Sequence, residues 1–359
     1  MSRRRHIIES ARTRRLTVSA EASTADEPRS APHRGDSALP FTEPDPWLVG
    51  PPLTGRVRLG FVVVVSVVSG AAAAWLIGRE GFTSDLLHVW FATRTMLSGG
   101  NPYSVPLPEN LNPGLDPALY PITSYLIFTP VAWLPLAISG GVFVAAGSAL
   151  AAWGVSRTGM ARSPLFLSAP FLLAVSLGQW SPLLLGAVLV PGASWLLVAK
   201  PNIGLAAWLA APRWKTAVAI LLFTALSVAI YPSWPAAWLG NLAGREEKLI
   251  PLLQPGGFLL LSALVAWRRA EGRLLLTMSL IPQAMFFYDQ LLLWLIPRTL
   301  RQSLLLSVLS FCAFLAWFYT RAPGDHTVNG AVPFAQSLYY GAAALLLWNW
   351  WQERRSRAK

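Results

Sequence analysis

From residue 57 onward, long apolar blocks alternate with short polar or basic stops. The first block, 57–77, is mostly Val and Ala and is long enough to cross a bilayer core. Further blocks lie at roughly 120–137, 139–156, 164–178, 181–199, 201–212, 215–231, 256–267, 274–297, 302–320 and 334–351. The pattern predicts an all-α, polytopic transmembrane bundle of about 10–12 spans. Two regions are ambiguous. Residues 195–211 are too few for two full spans, yet Lys200-Pro201 interrupts them. Residues 274–296 read as one long span, or as two short pieces broken at Pro282 and Asp289. Short or broken helices are tolerated in a membrane where protein or a cavity surrounds them.

Residues 1–55 lack apolar periodicity and are rich in Arg, Ser, Ala and Pro, which predicts a disordered tail. Its cluster of Arg3, Arg4, Arg5, Arg12, Arg14 and Arg15 reads as a solvated topology signal or as a contact for anionic lipid. An apolar block starting near 57 is too far along for a cleavable signal peptide. Arg56 and Arg58 precede the first span, and basic groups recur at 213–215, 268–273, 298–301 and 354–359. Positive residues stay inside, so both termini are expected in the cytoplasm, with an even number of crossings. The expected organisation is a tail (1–55), a membrane domain (56–352) and a basic cytoplasmic C-terminus (353–359). Outer loops are expected at about 79–119 and 232–254. In the second, Trp234 and Trp238 followed by Glu246 and Glu247 suggest an amphipathic helix on the membrane surface.

Composition removes the soluble alternatives. Of 359 residues, 13% are charged and 54% hydrophobic, against about 25% charged in soluble chains. The formal charge of +12 resembles a nucleic-acid footprint, but most of it flanks apolar blocks. The bilayer is therefore the expected partner, and nucleic acid is not. Cys312 is the single cysteine, so neither an internal disulfide nor a Cys-rich metal site is expected. The chain has no Walker loop, dinucleotide fingerprint or His/Glu metal motif, and no cofactor or metal is expected.

The richest polar signal lies in the first outer loop. Leu86, Val89, Trp90, Thr93 and Leu97 recur at helical spacing, and Gly99-Gly100 ends the helix before a turn at Asn101-Pro102-Tyr103. Asp85 stands at the helix start, where its carboxylate either caps backbone N–H groups or serves as a general base. His88 lies one turn further on the same face.

An Asp just after the first span, an aromatic-bearing helix and then Gly-Gly-Asn-Pro-Tyr resemble the first outer loop of glycosyltransferase family 87. Further likenesses follow in order: Tyr120-Pro121, Gly178-Gln179-Trp180-Ser181-Pro182-Leu183-Leu184, Ala199-Lys200-Pro201, Arg213-Trp214-Lys215 and Tyr288-Asp289-Gln290-Leu291-Leu292. The chain departs from the family pattern in its shortness, in its reduced segment Val190-Pro191-Gly192, and in His88 at a position often aromatic. The resemblance covers roughly 57–300. It implies a GT-C integral-membrane enzyme that takes a hexose, mannose above all, from a polyprenyl-phosphate donor to a lipid or glycan acceptor.

Under that resemblance Asp85 is the general base and Lys200 a ligand of the donor phosphate. A lysine inside an apolar run costs about 2.5–3.5 kcal/mol, so it faces a cavity or partner unless it snorkels from a span end. Arg94 is a second phosphate ligand, or pairs with Glu109 or Asp116. Gln179 binds sugar or phosphate, or merely turns the chain. Asp289, with Tyr288, holds a sugar hydroxyl or sits at a water boundary. His88, Asn101, Tyr103 and Tyr120 are candidate substrate contacts, with loop packing the competing role for the tyrosines. The geometric expectation is that Asp85, Gln179 and Lys200 share one cavity open to the outer face. A transporter or lipid flippase, and a catalytically inactive relative, are the alternatives.

Overall fold

The computed structural model describes residues 45–79, 82, 84–104, 119–243, 249–321 and 328–358. Most of the expected tail, together with Glu109, Asp116, Glu246 and Glu247, lies outside the described residues. Among the described residues the secondary structure is helical, with one isolated antiparallel bridge between Leu249 and Gln283.

Helix α1 (Gly55–Ile77) leads through a turn to α2 (Leu86–Leu97), and α3 (Ile122–Ala132) precedes α4 (Leu136–Thr158). A 3₁₀ segment, Met160–Leu167, bends by 57° into α5 (Ala169–Leu177). Then come α6 (Ser181–Leu189), a 3₁₀ segment at Pro191–Ala199, α7 (Pro201–Ala210) and α8 (Trp214–Ile230). Helix α9 (Trp234–Ala243) turns 99° away from α8. Two more 3₁₀ segments, Gly257–Ala266 and Phe287–Leu295, flank α10 (Ala270–Leu280), and α11 (Leu300–Thr320) and α12 (Val328–Arg357) close the chain.

Among the described residues four helices are long and apolar enough to cross a membrane, and up to six if each bent pair is one span. They carry exposed Val64, Val67, Val68, Trp75, Leu305 and Val308, an apolar surface that water would not tolerate on this scale. This is the build of a multi-pass membrane protein. The other apolar blocks are cut into shorter pieces than expected, and proline does much of the cutting. Pro170, Pro182, Pro191 and Pro201 each stand at the first or second position of a segment. Proline cannot continue the preceding helix but fits the first turn of the next. The 274–297 block breaks at Pro282, as one of its two readings had it, but Asp289 sits within a helical segment rather than at a break. A 3₁₀ segment rises about 2.0 Å per residue against about 1.5 Å for an α-helix, so these short pieces reach further than their length suggests.

Small residues bring α1 and α4 together. A Cβ on Gly70 would meet Ala145 Cβ and Gly141 O at 2.8 Å, and one on Gly141 would meet Ala74 Cβ at 2.8 Å. Close backbone approach of this kind replaces the hydrophobic drive that lipid removes.

Part of the segment expected as tail, residues 45–54, is instead described and packed on the bundle. Trp47 is fully buried and its carbonyl accepts from Arg162, while Val49 N donates to Thr158 O and Leu53 N to Ser156 O, each at 2.8 Å. One tryptophan buries enough apolar area to order a short strap that composition had marked as tail.

Contacts define two ends of the bundle. At one end Arg162 donates to Leu295 O, Arg273 to Ala210 O and Arg213 to Val188 O. Arg298 there pairs with Glu271 and Glu353, and Arg269 with Glu353. The other end gathers the start of α2, the α5–α6 turn, the start of α7 and the start of Phe287–Leu295.

Candidate active site

Asp85 occupies the first position before α2, but it does not cap the helix. Its backbone is already helical (φ −60, ψ −22), and the cap is Ser84, whose hydroxyl accepts from Leu86 N at 3.2 Å and donates to Leu177 O at 2.8 Å. The capping role expected of Asp85 therefore falls to its neighbour, which leaves the carboxylate to point elsewhere. Asp85 Oδ2 accepts from Gln179 Nε2 and, at 3.1 Å, from the Tyr288 hydroxyl.

Gln179 arrives there through Gly178. That residue ends α5 at φ +68, a left-handed conformation suited to glycine, and a Cβ on it would come within 2.8 Å of Leu86 Cβ. The turn thus packs directly on the first residue of α2 and carries Gln179 to Asp85. The Tyr120 hydroxyl approaches Gln179 Oε1 at 3.5 Å, and its ring leans on Trp180.

Lys200 stands in extended backbone between Pro191–Ala199 and α7 (φ −135, ψ 85). Thr123 and Ser124 hold the preceding carbonyls of Val198 and Ala199. The ammonium pairs with Asp289 Oδ1 and lies 5.4 Å from the centre of the Tyr288 ring. Lys200 is therefore not snorkelling. Its side chain keeps 13% of its surface and that of Asp289 1%. In a 3₁₀ segment successive residues point about 120° apart, so Tyr288 turns to Asp85 while Asp289 turns to Lys200. Gln290 is fully buried, and with its amide oxygen and nitrogen exchanged it donates to the carbonyls of Phe286 and Phe287.

Asp85, Gln179, Lys200, Tyr120, Tyr288 and Asp289 thus form one connected cluster, in which only Asp85, Tyr120 and Lys200 keep part of their surface accessible. Burial pushes the Asp85 carboxyl above its ordinary 3.8. The Tyr288 hydrogen bond, the Lys200 charge and the Gln179 amide oppose that rise, and the Asp289 charge adds to it. Burial also raises the Tyr120 phenol, which stays a proton donor at neutral pH.

The remaining candidates lie on α2 and in the loop that follows it. Arg94 is nine positions from Asp85, which is about 180° around a helix. It stacks over Trp90 at 4.6 Å and lines a recess of about 410 Å³ with Phe91, Ser98 and Trp133. His88 is half-buried on α2. Asn101 Oδ1 accepts from Tyr103 N, and the Tyr103 hydroxyl donates to Tyr120 O at 3.1 Å, so this pair braces the loop behind Tyr120. Helix α9 adds to the brace, with Trp238 donating to Leu119 O and Asn241 to Tyr103 O.

Sequence reasoning passed over Gln283 and Tyr339. Tyr339 is fully buried on α12, and its hydroxyl lies beside the side chains of Gln283 and Gln290. Polar groups inside apolar blocks were the available signal for both. Among the described residues no three His, Cys, Asp or Glu side chains come together. In comparisons with known proteins the chain matches no family profile, no curated protein and no solved structure.

Proposed function

We propose that the chain is an integral-membrane glycosyltransferase of GT-C type, acting as the resemblance to family 87 implies. It moves a hexose, expected to be mannose, from a polyprenyl-phosphate donor to a lipid or glycan acceptor. The observation that carries this reading is the junction of Asp85, Gln179, Lys200 and Tyr288-Asp289 in one cluster. These residues come from separate motifs of the resemblance, and Asp85 and Tyr288, which are hydrogen-bonded, are 203 positions apart.

In this reading the Asp85 carboxylate takes the proton of an acceptor hydroxyl as its oxygen attacks the anomeric carbon. The bond from that carbon to the phosphate oxygen breaks, its electron pair stays on the phosphate, and the anomeric configuration inverts. Lys200 stabilises the charge that gathers on the leaving phosphate. Gln179 and Tyr288 hold Asp85 in place. A base with a raised pKa takes up the proton more readily, and this suits the task.

The proposed topology counts each short segment as a pass between the two ends. On that count α1, α4, the pair 160–177, α6, 191–199, α7, α8, 257–266, α10, 287–295, α11 and α12 cross, while α2, α3 and α9 stay on one side. The basic end is cytoplasmic and the Asp85 cluster extracytoplasmic. The Arg298–Glu271–Glu353 network at the far end argues against a two-sided transport path.

The test is transfer of labelled sugar from a polyprenyl-phosphate donor in membranes that contain the chain. Wild type transfers and Asp85→Asn does not. Equal transfer by Asp85→Asn sinks the reading.

A further inference from the structure

We infer that the recess beside Arg94 holds the head group of a bilayer lipid, a singly charged phosphodiester whose head carries hydroxyl groups. The inference goes beyond sugar transfer, because none of the residues that line the recess belongs to the Asp85 cluster.

Three observations carry it. The first is position. Helices α1 and α4 are both long and apolar enough to span a bilayer. Their ends meet where a Cβ on Gly78 would stand 3.3 Å from Ala137 Cβ. Trp133 and Leu134 form the turn just ahead of α4, and Trp90 Nε1 donates to Leu134 O at 3.0 Å. The recess therefore stands where two spans leave the apolar layer, the level at which head groups lie and tryptophan is favoured. Ile138, next to Ala137, and Trp75, in the last turn of α1, are exposed and offer a surface for acyl chains. The volume of about 410 Å³ falls in the usual range for a bound small group, about 300–1,000 Å³.

The second is charge. The bond to Leu134 fixes the Trp90 ring, and the Arg94 guanidinium stacks on that ring at 4.6 Å. Stacking occupies the flat face of a guanidinium and leaves its edge of N–H donors for a bidentate oxyanion. Among the described residues no carboxylate pairs with Arg94, and no other charged side chain lines the recess. One cation matches one negative charge, that of a phosphodiester rather than a phosphomonoester.

The third is the state of the hydroxyls on the wall. Thr95 Oγ1 donates to Phe91 O at 3.0 Å, and Ser98 Oγ to Thr95 O at 2.9 Å. Each proton is engaged inside α2, which leaves each oxygen as an acceptor. Acceptors suit a ligand that brings its own O–H donors. A choline or ethanolamine head would place a second cation beside Arg94. A glycerol head brings hydroxyls and no charge. Trp133, 66% exposed, supplies an aromatic wall for the glycerol backbone and the first methylenes.

Native mass spectrometry of the delipidated chain in detergent, titrated with dioctanoyl lipids, tests this. Wild type binds phosphatidylglycerol about tenfold more tightly than phosphatidylcholine, and Arg94→Gln removes that preference. Trp133→Ala, at an exposed position, weakens phosphatidylglycerol about threefold. Thr95→Val combined with Ser98→Ala also weakens it about threefold. That double variant leaves unchanged the binding of phosphatidylmethanol, a phosphodiester of the same charge without hydroxyls.

A preference that survives Arg94→Gln places the lipid at another basic group and overturns the inference. So does glycerophosphoglycerol, the same head group without acyl chains, if it competes as well as the lipid, because the site then serves a soluble phosphodiester. Equal loss of both lipids in the double variant, or no loss, overturns the hydroxylated head group. Arg94 also stands in the last turn of α2, where a cation complements the helix end. If that is its whole role, Arg94→Gln lowers the unfolding temperature of the lipid-free chain and leaves the lipid preference intact, which overturns the inference. If Arg94→Gln does not fold, Trp133→Ala decides: weaker phosphatidylglycerol binding supports the site and unchanged binding overturns it.

Discussion

Asp85 is a carboxyl group that folding makes harder to ionise. Its pKa in the folded chain lies above the ordinary 3.8, so its charge costs the fold free energy at neutral pH, and that cost fades as pH falls through the raised value and is gone below the ordinary one. Asp85→Asn is therefore expected to raise the unfolding temperature at pH 7, with the gain shrinking toward zero in strong acid. Tryptophan fluorescence of the detergent-solubilised chain during heating measures it. Because the base must be deprotonated, the rising limb of the transfer rate against pH is expected above 3.8 and should vanish with the base. At this scale the sequence was partly legible. Asp85, Lys200 and Asp289 stood out as charges in or beside apolar runs. Their partners did not, since Lys200 and Asp289 are 89 positions apart and no local rule joins them. The cap was misassigned because Ser84 and Asp85 are both good capping residues, and only the backbone angles choose between them.

The elements hold the cluster through close approaches that tolerate no added atom. Gly178→Ala is expected to cost about 1–2 kcal/mol for the left-handed backbone alone. It would also push the α5–α6 turn off Leu86 and carry Gln179 away from Asp85. Gly178→Asn separates the two effects. Asparagine accepts the backbone conformation but not the contact with Leu86, so it is expected to restore little activity. Gly70→Leu is expected to pry α1 from α4, seen as a lower unfolding temperature. The apolar blocks were legible as blocks, and their internal breaks less so. Proline marks where a helix cannot continue, but whether the next piece winds as α or 3₁₀ depends on what it packs against.

For the whole molecule, the basic end acts as a lock on the last helix. Glu271 is almost fully buried and receives both Arg298 Nε and Nη2. Arg298→Met leaves it unpaired, and about 1–3 kcal/mol of stability should be lost. Arg298 is itself a third exposed, which holds the loss below that for a fully buried pair. Urea or heat denaturation in detergent checks the figure. The wide separation of the paired residues also constrains how the protein is made. At about 5–20 residues per second, the ribosome needs on the order of ten seconds to pass from Lys200 to Asp289. Through that interval the newly made lysine has no carboxylate from its eventual partner. The nascent chain must leave it in water, lend it a temporary partner, or hold its hairpin out of lipid until synthesis catches up.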